Sequence, residues 1–514
     1  MLLVQQFLTN VIDKPETLAL IYKDQKITYA ETERRASMVV ADLERAGVER
    51  GAHILTLLPN GLEFPVLMLA AAEVGAVLVP LPPSAGHGII QRTLEACDCS
   101  YVVGTGPNID KLAPELSVSE AYVLVVNDGG VGLKSGAGFV ATSEHQLGMR
   151  VQSKEAPFYI TMTSGSTGDP KPIVLTQHCK YHRAWKGAKE LYCLGEDEVV
   201  LAASPLHHSL GFRLALLPLL FGGTGVILPR FSPELWLNAV QQHRVTFTIA
   251  VSSHLERILP HIQRKESWDI SSLRKIVSSS ALLQASAKQA CLQNFSAEFY
   301  ECYGASEIGI ATTIDSKQCA SHLGSVGLPL PYVDLQIADQ SGHFLPSDRV
   351  GEIVCKSLTS FSGYYDQPKK TEESFCNGYF LTGDYGYLDK DGFLYFKGRK
   401  KEIINVAGAN VYPGDVEEVV RSVTGVNDAV AIGVPDTLFG EAVVVVMEVN
   451  ESQFQISQVK QNCFEMLADY QQPVAFEKTE QLPRNAMGKV LRNDIKQRFK
   501  NYDATAKLRK LVNE

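Results

Sequence analysis

Short apolar runs alternate with amphipathic stretches through the first 320 or so residues of the chain. Runs rich in Val, Ile and Leu occupy residues 52–58, 76–81, 121–126, 199–204, 224–228, 246–251 and 274–279. Such continuous runs are typical of strands buried on both faces of a parallel sheet. Helical stretches lie between them: Leu62 to Val74 is followed by Gly75, which favours a helix end, and Thr28 with Glu31 favours a helix start. Repeated strand–helix–strand units predict an α/β fold with doubly wound sheets.

The pattern changes between about 322 and 398, where short alternating strands are punctuated by Gly and Pro. This change predicts an antiparallel sheet or a small β-barrel. A compact charged segment, 399–402, then precedes a last block that mixes a helix over 415–422 with strands over 429–434 and 442–449. We therefore expect a large N-terminal domain over 1–398, a hinge at 399–402 and a small α+β C-terminal domain over 403–514.

Composition and charge exclude several classes of function. A chain of 514 residues with 45% hydrophobic and 20% charged residues is an ordinary globular composition and should form more than one domain. The formal charge of −9 argues against a nucleic-acid partner, which needs clustered Lys and Arg. No apolar run approaches the roughly 20 residues that span a bilayer, so no membrane span is expected. The ten scattered cysteines and the absence of a basic leader favour a cytoplasmic protein.

One stretch, from Tyr159 to Gln177, combines features that suit a polyphosphate. An apolar lead-in is followed by the hydroxyls and glycines of residues 163–168, and Lys171 comes three residues later. Glycines let several backbone N–H groups face one point, while hydroxyls and a lysine add donors and charge. The stretch differs from a P-loop, in which Gly-Lys-Ser/Thr opens a helix, because prolines flank Lys171. A Ser/Gly surface linker is the alternative interpretation.

Four further stretches carry charged or aromatic groups that an enzyme using a nucleotide would need. They are Tyr300-Glu-Cys-Tyr-Gly-Ala-Ser-Glu-Ile-Gly309, Tyr379-Phe-Leu-Thr-Gly-Asp384, Phe396-Lys-Gly-Arg-Lys-Lys-Glu-Ile-Ile-Asn405 and Pro483-Arg-Asn-Ala-Met-Gly-Lys-Val-Leu-Arg492. An aromatic face can stack on a base, a carboxylate can hold Mg²⁺, and a lysine can neutralise developing charge. Taken singly, each stretch also has a structural interpretation, because Thr-Gly-Asp is a common turn and most lysines are solvated.

Together and in this order, the five stretches resemble the adenylate-forming superfamily of acyl- and aryl-CoA synthetases, peptide-synthetase adenylation domains and luciferase-like AMP-binding enzymes. The resemblance extends from Ile27 to Arg492. It implies that ATP or AMP is bound by Thr163, Ser164, Gly165, Ser166, Thr167, Gly168, Lys171, Ser279, Ser280, Ala281, Tyr303, Asp384 and Arg399. It further implies that Ser306, in place of the usual threonine, contacts the α-phosphate, that Glu307 holds Mg²⁺, and that Lys489 bridges the substrate carboxylate and the α-phosphate.

The chemistry implied by the resemblance has two half-reactions. A carboxylate attacks the α-phosphorus of MgATP to give acyl-AMP and pyrophosphate, and a thiol then displaces AMP. Between the two steps the mobile C-terminal domain rotates about a hinge at Lys401, withdraws Lys489 and presents the face near Gly408 to the thiol. Pro172 and Leu381 depart from the family's usual glycine and arginine, and neither change removes a group that the chemistry needs.

The resemblance also places the acyl pocket. His208 matches a position between the acyl pocket and the thiol tunnel, whereas His207 is expected to be structural. The pocket positions are Ser209, Leu210, Arg213, Ile249, Val277, Ser279, Cys302 and Ile310. Amino-acid-activating members place an aspartate at the position of Ser209, so an α-ammonium would be buried unpaired here, which argues for a fatty or aryl acid. Arg213 either points to solvent or pairs with a core acid, or it meets a polar or anionic group of the substrate.

These observations leave two acceptors open: coenzyme A, or the phosphopantetheine of a carrier protein. A hypothesis of a different class is an inactive nucleotide-binding or scaffolding relative. The chain retains the residues that catalysis would need, which argues against this hypothesis: Lys171, Glu307, Asp384 and Lys489. A luciferase-like oxygenase is a more distant alternative. The expected small-molecule partner is a carboxylic acid.

Overall fold

The computed structural model of the protein describes residues 3–105, 122–127, 130–134, 147–150, 153–163, 171–264, 268–437, 439–484, 488, 490–499 and 502. Only the backbone is described for strands 122–127 and 130–134 and for Thr163.

The strands predicted after residue 199 join the first strands of the chain in a nine-stranded mixed sheet. Its order is Leu328–Pro329, Gly309–Asp315, Glu298–Ala305, Lys275–Ser279, Phe247–Val251, Val199–Ala202, Thr224–Ile227, Leu18–Tyr22 and Gln25–Thr28. The six strands in the middle run parallel, with Ile249 opposite Val277. Their buried apolar runs explain this arrangement, because a parallel strand is covered on both faces.

The apolar runs between residues 52 and 176 form most of a second mixed sheet, with eight strands in the part of the chain that is described. Its order is Gly363–Tyr364, Lys171–Thr176, Pro157–Thr163, Val77–Pro80, His53–Leu57, Cys99–Thr105, Tyr122–Asn127 and Gly130–Lys134. The five strands from Pro157–Thr163 to Tyr122–Asn127 are parallel, and the strands outside them are antiparallel.

Helices connect and cover the two sheets. They span Leu3–Asp13, Tyr29–Arg45, Glu63–Val74, His87–Ala96, Gln177–Trp185, Ser209–Phe221, Pro233–His243, Ser252–Gln263, Ala285–Asn294, Ser316–Cys319 and Pro368–Glu373. The helices Glu63–Val74 and Ser209–Phe221 are apolar on nearly all sides, as expected for helices buried between layers. Phe64 of one meets Phe212 of the other edge to face, with ring centroids 6.2 Å apart. Within the described ranges, no helix is long and apolar enough to cross a membrane.

The alternating region forms the predicted antiparallel sheet. Its strands are Val333–Ala338, Gly351–Ser357, Phe375–Cys376, Tyr379–Leu388 and Leu394–Arg399. The last two strands pair antiparallel and put Asp384 opposite Arg399. The chain then enters the short 3₁₀ helix Lys400–Glu402, within the segment predicted as the hinge.

The last block contains a sheet and helices of its own. Its strands are Ile404–Val406, Ala409–Val411, Val426–Asp436, Gly440–Val449 and Ala475–Thr479, and its helices are Pro413–Arg421, Ile456–Met466 and Arg492–Arg498. Apolar side chains from this sheet and these helices form separate hydrophobic clusters. The mixed α/β architecture with a small C-terminal unit is therefore confirmed.

Candidate active site

A cavity of about 970 Å³ lies where the two large sheets, the antiparallel sheet and the C-terminal helix meet. Ligands of open α/β sheets bind beyond the carboxyl ends of the strands, and several strand ends open onto this cavity. Many of the residues predicted to form a site line it: Lys171, Ser209, Leu210, Arg213, Ser279, Ser280, Cys302, Ser306, Glu307, Ile310, Asp384, Arg399 and Lys401. Residues as far apart in the sequence as Lys171 and Lys401 thus line one cavity.

Lys171 and Glu307 share one side of the cavity with Tyr364. The Lys171 ammonium lies 5.1 Å from the centre of the Tyr364 ring, and the Tyr364 hydroxyl donates to Glu307 Oε1 over 3.1 Å. Burial lowers the pKa of Lys171, and the charge of Glu307 acts in the opposite direction. This side of the cavity therefore offers a cation beside a carboxylate that is oriented by a hydrogen bond.

The turn that carries Ser306 and Glu307 is held by a buried arginine that the sequence analysis did not identify. Arg183, only 9% exposed, donates from Nη1 to the Ser306 carbonyl (2.8 Å) and from Nη2 to the Glu307 carbonyl (2.9 Å). Its Nε donates to the Thr359 carbonyl over 2.9 Å. At Gly304, before the turn, a Cβ would lie 2.0 Å from the Gly309 carbonyl oxygen, so only glycine allows this approach of the two strands. The orientation of Glu307 therefore depends on Arg183 and on a backbone contact.

Tyr303, Asp384 and Arg399 form a connected group. The buried Tyr303 hydroxyl donates to Asp384 Oδ2 over 2.8 Å, and Arg399 Nε lies 3.5 Å from Asp384 Oδ1. Burial and the Asp384 charge raise the pKa of Tyr303 well above its usual value, so the hydroxyl keeps its proton. Ser280 nearby has a left-handed backbone with φ of +76°, at the end of strand Lys275–Ser279, and its neighbour Ala281 accepts from Ser252 Oγ.

The predicted acyl positions divide into two sets. Ser209, Leu210, Arg213, Cys302 and Ile310 line the cavity. Ile249 and Val277 are buried in the hydrophobic core and, among the described residues, are not part of the cavity wall.

The two histidines lie at the start of helix Ser209–Phe221. His208 is its N-cap residue, and its ring centroid is 4.4 Å from that of His207. Burial lowers the pKa of both imidazoles, that of His207 to about 3, so both are neutral at pH 7. Neither belongs to the described wall of the cavity.

Lys180 is a second buried base that the sequence analysis missed. It is 3% exposed, lines the cavity and lies one helical turn before Arg183 on helix Gln177–Trp185. Two basic residues three positions apart on a helix usually lie on a solvated face, so no pattern in the sequence indicated their burial. The only available signal was that their helix follows directly on the strand that begins at Lys171.

The C-terminal block closes part of the cavity. Leu491, Arg492 and neighbouring residues of helix Arg492–Arg498 line it. Gly488, just before helix Arg492–Arg498, lies close to helix Ser252–Gln263: a Cβ built at Gly488 would be 2.1 Å from Ser253 Oγ. Gly408, by contrast, is exposed, with φ of +86° and no atom within 4 Å of a Cβ built there. Lys489 and the predicted loop residues 164–168 lie outside the described residues.

Comparison with known proteins gives a consistent result. Residues 7–365 match the family "AMP-binding enzyme", and residues 415–489 match "AMP-binding enzyme C-terminal domain". Feruloyl-CoA synthase of Amycolatopsis sp. is 30% identical over 490 residues, which cover 94% of this chain and 96% of the relative. 2-Succinylbenzoate–CoA ligase of Bacillus cereus (strain Q1) is 28% identical over 487 residues, with the same two coverages. The crystal structure of ATP-bound MatB from Rhodopseudomonas palustris has a TM-score of 0.88 at 26% identity, covering 98% of this chain and 99% of MatB.

Proposed function

Because the chain belongs to the AMP-binding enzyme family, we propose that it is an ATP-dependent acid–thiol ligase that converts a carboxylic acid to its acyl-AMP and then to its thioester with coenzyme A. The observation that carries the proposal is the convergence of Lys171, Glu307, Asp384 and Arg399 on one cavity. The acid–CoA ligases among its relatives support the same class of reaction.

In the first half-reaction the substrate carboxylate attacks the α-phosphorus of ATP, and the bond to pyrophosphate breaks. The carboxylate is already a competent nucleophile, so the protein has to position the reactants and neutralise charge rather than remove a proton. Lys171, with the loop before it, holds the departing pyrophosphate. Tyr303 stacks on adenine, Asp384 and Arg399 bind the ribose, and Ser306 contacts the α-phosphate. Lys489 bridges the two reacting groups.

Glu307 fits the role of a Mg²⁺ ligand. Its carboxylate lines the cavity near Lys171, and Tyr364 donates to one oxygen only. Carboxylate oxygens are the ligands that Mg²⁺ prefers, and the bound ion would supply charge neutralisation on the phosphates. Arg183 orients this carboxylate through the backbone of residues 306 and 307.

The second half-reaction requires the C-terminal domain to turn about Lys401. Gly488 lies against Ser253 while Gly408 is exposed, which suits an arrangement for adenylation. Rotation would withdraw Lys489 and bring the face around Gly408 to the thiol, with His208 between the acyl group and the thiol tunnel. One site can serve two reactions in this way.

The cavity wall favours an alkyl or aryl acid over an α-amino acid. Ser209 stands where an ammonium group would need a carboxylate partner, and an unpaired buried ammonium costs several kcal/mol. Leu210, Cys302 and Ile310 make much of the remaining acyl wall apolar. The ten cysteines are all free thiols, which supports the cytoplasm as the site of action.

Carboxylate-dependent ATP–pyrophosphate exchange tests the proposal directly. We expect exchange with at least one member of a panel of fatty, aryl and dicarboxylic acids, and thioester formation when coenzyme A is added. No exchange with any acid would instead favour an inactive, nucleotide-binding relative. Comparing coenzyme A with a phosphopantetheinylated carrier protein as acceptor then separates a CoA ligase from an enzyme that loads a carrier.

A further inference from the structure

We propose that the acid activated by this enzyme carries a second carboxylate, which Lys180 and Arg213 bind at the acyl side of the cavity. The inference rests on the proposed function and narrows it from carboxylic acids in general to dicarboxylic acids. It depends on two cations that line the cavity, the buried Lys180 and the partly buried Arg213, which have no carboxylate partner in the described part of the chain.

Lys180 is enclosed by aromatic rings. Its ammonium nitrogen lies 3.8 Å from the centre of the Phe212 ring and 4.3 Å from that of Tyr159. These rings are themselves fixed, because Tyr159 donates to the His207 carbonyl over 3.0 Å and packs edge to face on Phe212. Aromatic faces attract a cation but compensate only part of the hydration that burial removes. The lysine is therefore held rigidly, with its charge directed at the cavity.

Arg213 lies on the neighbouring helix, Ser209–Phe221, and lines the same cavity as Lys180. Its Nε is buried and has no hydrogen-bond partner among the described residues. Lys180, Arg213 and Cys302 all line the cavity, and the charge of Arg213 acts on the other two. No carboxylate within the described ranges forms an ion pair with either base, in contrast to Lys288, which pairs with Glu301 in the core.

The two cations are distinct from those that meet ATP. Lys171 lies against the Tyr364 ring beside Glu307, whereas Lys180 lies against the rings of Tyr159 and Phe212. Arg183 differs from both, since its three donating nitrogens already bind backbone carbonyls. Lys180 and Arg213 therefore remain available for a ligand that is neither the triphosphate nor the reacting carboxylate.

A second carboxylate is the group that fits this pair. Burial and the two neighbouring arginines lower the pKa of Lys180, as expected for an ammonium that no carboxylate of the described residues pairs. Buried charges are normally paired, and an anion arriving between Lys180 and Arg213 would pair both at once. A carboxylate matches the planar guanidinium and the ammonium together.

The test uses matched acids that differ only at the far end. Linear dicarboxylic acids of four to ten carbons, and benzene-dicarboxylic acids with short side chains, are each compared with the analogue in which a methyl group replaces one carboxylate. The readout is kcat/KM in ATP–pyrophosphate exchange. We expect the best dicarboxylate to exceed its methyl analogue by about 10- to 100-fold, the range for a charge-assisted hydrogen-bonded pair.

Two variants then assign the preference to the two cations. Lys180→Met keeps the length and packing of the stem, and Arg213→Met does the same on the next helix; each should reduce the dicarboxylate preference by about tenfold or more through KM. Lys189→Met is the matched control, because Lys189 also lies near two aromatic rings, Trp185 and Phe221, but outside the described cavity wall. The preference of Lys189→Met for the dicarboxylate over its methyl analogue should equal that of the wild type.

Thermal unfolding supplies a readout independent of activity. Lys180→Met should leave the unfolding temperature equal or higher, because it removes a buried charge without a partner. Exchange with monocarboxylic acids but not with dicarboxylic acids would overturn this inference while leaving the proposed function intact. Equal losses for both acid types in a folded Lys180→Met variant would also overturn it, since the lysine would then be structural. Absence of exchange with every acid would instead count against the proposed function.

Discussion

Arg183→Lys should slow adenylation by misplacing the turn that carries Ser306 and Glu307. Arg183 makes three hydrogen bonds of 2.8–2.9 Å to the carbonyls of Thr359, Ser306 and Glu307. A lysine at this position retains the charge but has one nitrogen, so it cannot reach all three oxygens in the geometry of a guanidinium. The variant thus alters positioning while the net charge of the site is unchanged.

The expected magnitude follows from these contacts. A hydrogen bond to a charged group contributes about 1.5–3 kcal/mol, and buried carbonyls left without a donor carry a further penalty. Because the three bonds act on one turn they are not additive, and we expect Arg183→Met to lose roughly 3–6 kcal/mol of stability and Arg183→Lys about half of that. A displacement of about 1 Å at a reacting group can cost about 100-fold in rate. We expect a loss of that order in the exchange rate of Arg183→Lys.

The assay is ATP–pyrophosphate exchange at several Mg²⁺ concentrations, with the unfolding midpoint measured alongside. Arg183→Lys should require more Mg²⁺ for half-maximal exchange, while KM for the acid changes little. Lys186→Met is the control: Lys186 lies one residue beyond the same helix, where it pairs with the exposed Glu190 and lies over the Tyr332 ring, and the variant should remain within about twofold of the wild type. Wild-type exchange with an unchanged Mg²⁺ requirement in a folded Arg183→Lys variant would refute the assignment of Arg183 as a positioning residue.

Three further predictions concern other parts of the molecule. Lys288 lies 2.5 Å from Glu301 Oε2, with both side chains 1% exposed, so Lys288→Met should cost about 3–5 kcal/mol by chemical denaturation, and the double variant Lys288→Met/Glu301→Leu should recover most of it. Burial raises the pKa of Glu301, and the charge of Lys288 opposes this shift. Without Lys288 the folded protein holds the Glu301 proton more strongly than the unfolded protein does, so the stability lost in Lys288→Met should grow as pH rises above about 4.5. A stability loss independent of pH would contradict this. Burial lowers the pKa of His254 to about 3; the unfolded state then binds the extra proton, so stability should fall as pH drops from about 6.5 toward 3. His254→Leu should remove up to about 1.4 kcal/mol per pH unit from that slope. Lys489→Ala should lose exchange far more than thioester formation from supplied acyl-AMP, and equal losses would argue against domain rotation.

Much of the fold could be predicted from the sequence because its signals are local. The apolar run at 246–251 became strand Phe247–Val251, and Thr28 caps helix Tyr29–Arg45 by accepting from the Glu31 backbone. The Glu31 side chain, however, pairs with Arg34 and Arg35 instead of completing a capping box. Periodicity and cap residues fix where an element begins, but the partner of a long charged side chain depends on its neighbours in space.

The candidate site was predictable where motif residues lie together, and not where they depend on distant chain segments. Asp384 and Arg399 face each other because two consecutive strands pair antiparallel, a short-range consequence of the hairpin. Arg183 instead meets the carbonyls of residues 306 and 307 across a sequence separation of 123 and 124 positions. No periodicity encodes such a contact, and a lysine or arginine on a helix is ordinarily exposed, so burial was the missing information.

Three cations for which we propose separate roles come from one continuous strand and helix. Lys171 begins strand Lys171–Thr176, and Lys180 and Arg183 lie on the helix that follows at once. This helix is fixed at its start, where Thr176 Oγ1 accepts from the Cys179 backbone and Gln177 Nε2 donates to the Ala72 carbonyl. Because the helix follows the strand directly, the positions of Lys171, the proposed pyrophosphate clamp, of the proposed acyl-side cation and of the arginine that holds the Glu307 turn are set together. A substrate that displaces Lys180 would strain the same helix that holds the Glu307 turn, so recognition of the acid and the rate of adenylation should be coupled through helix Gln177–Trp185.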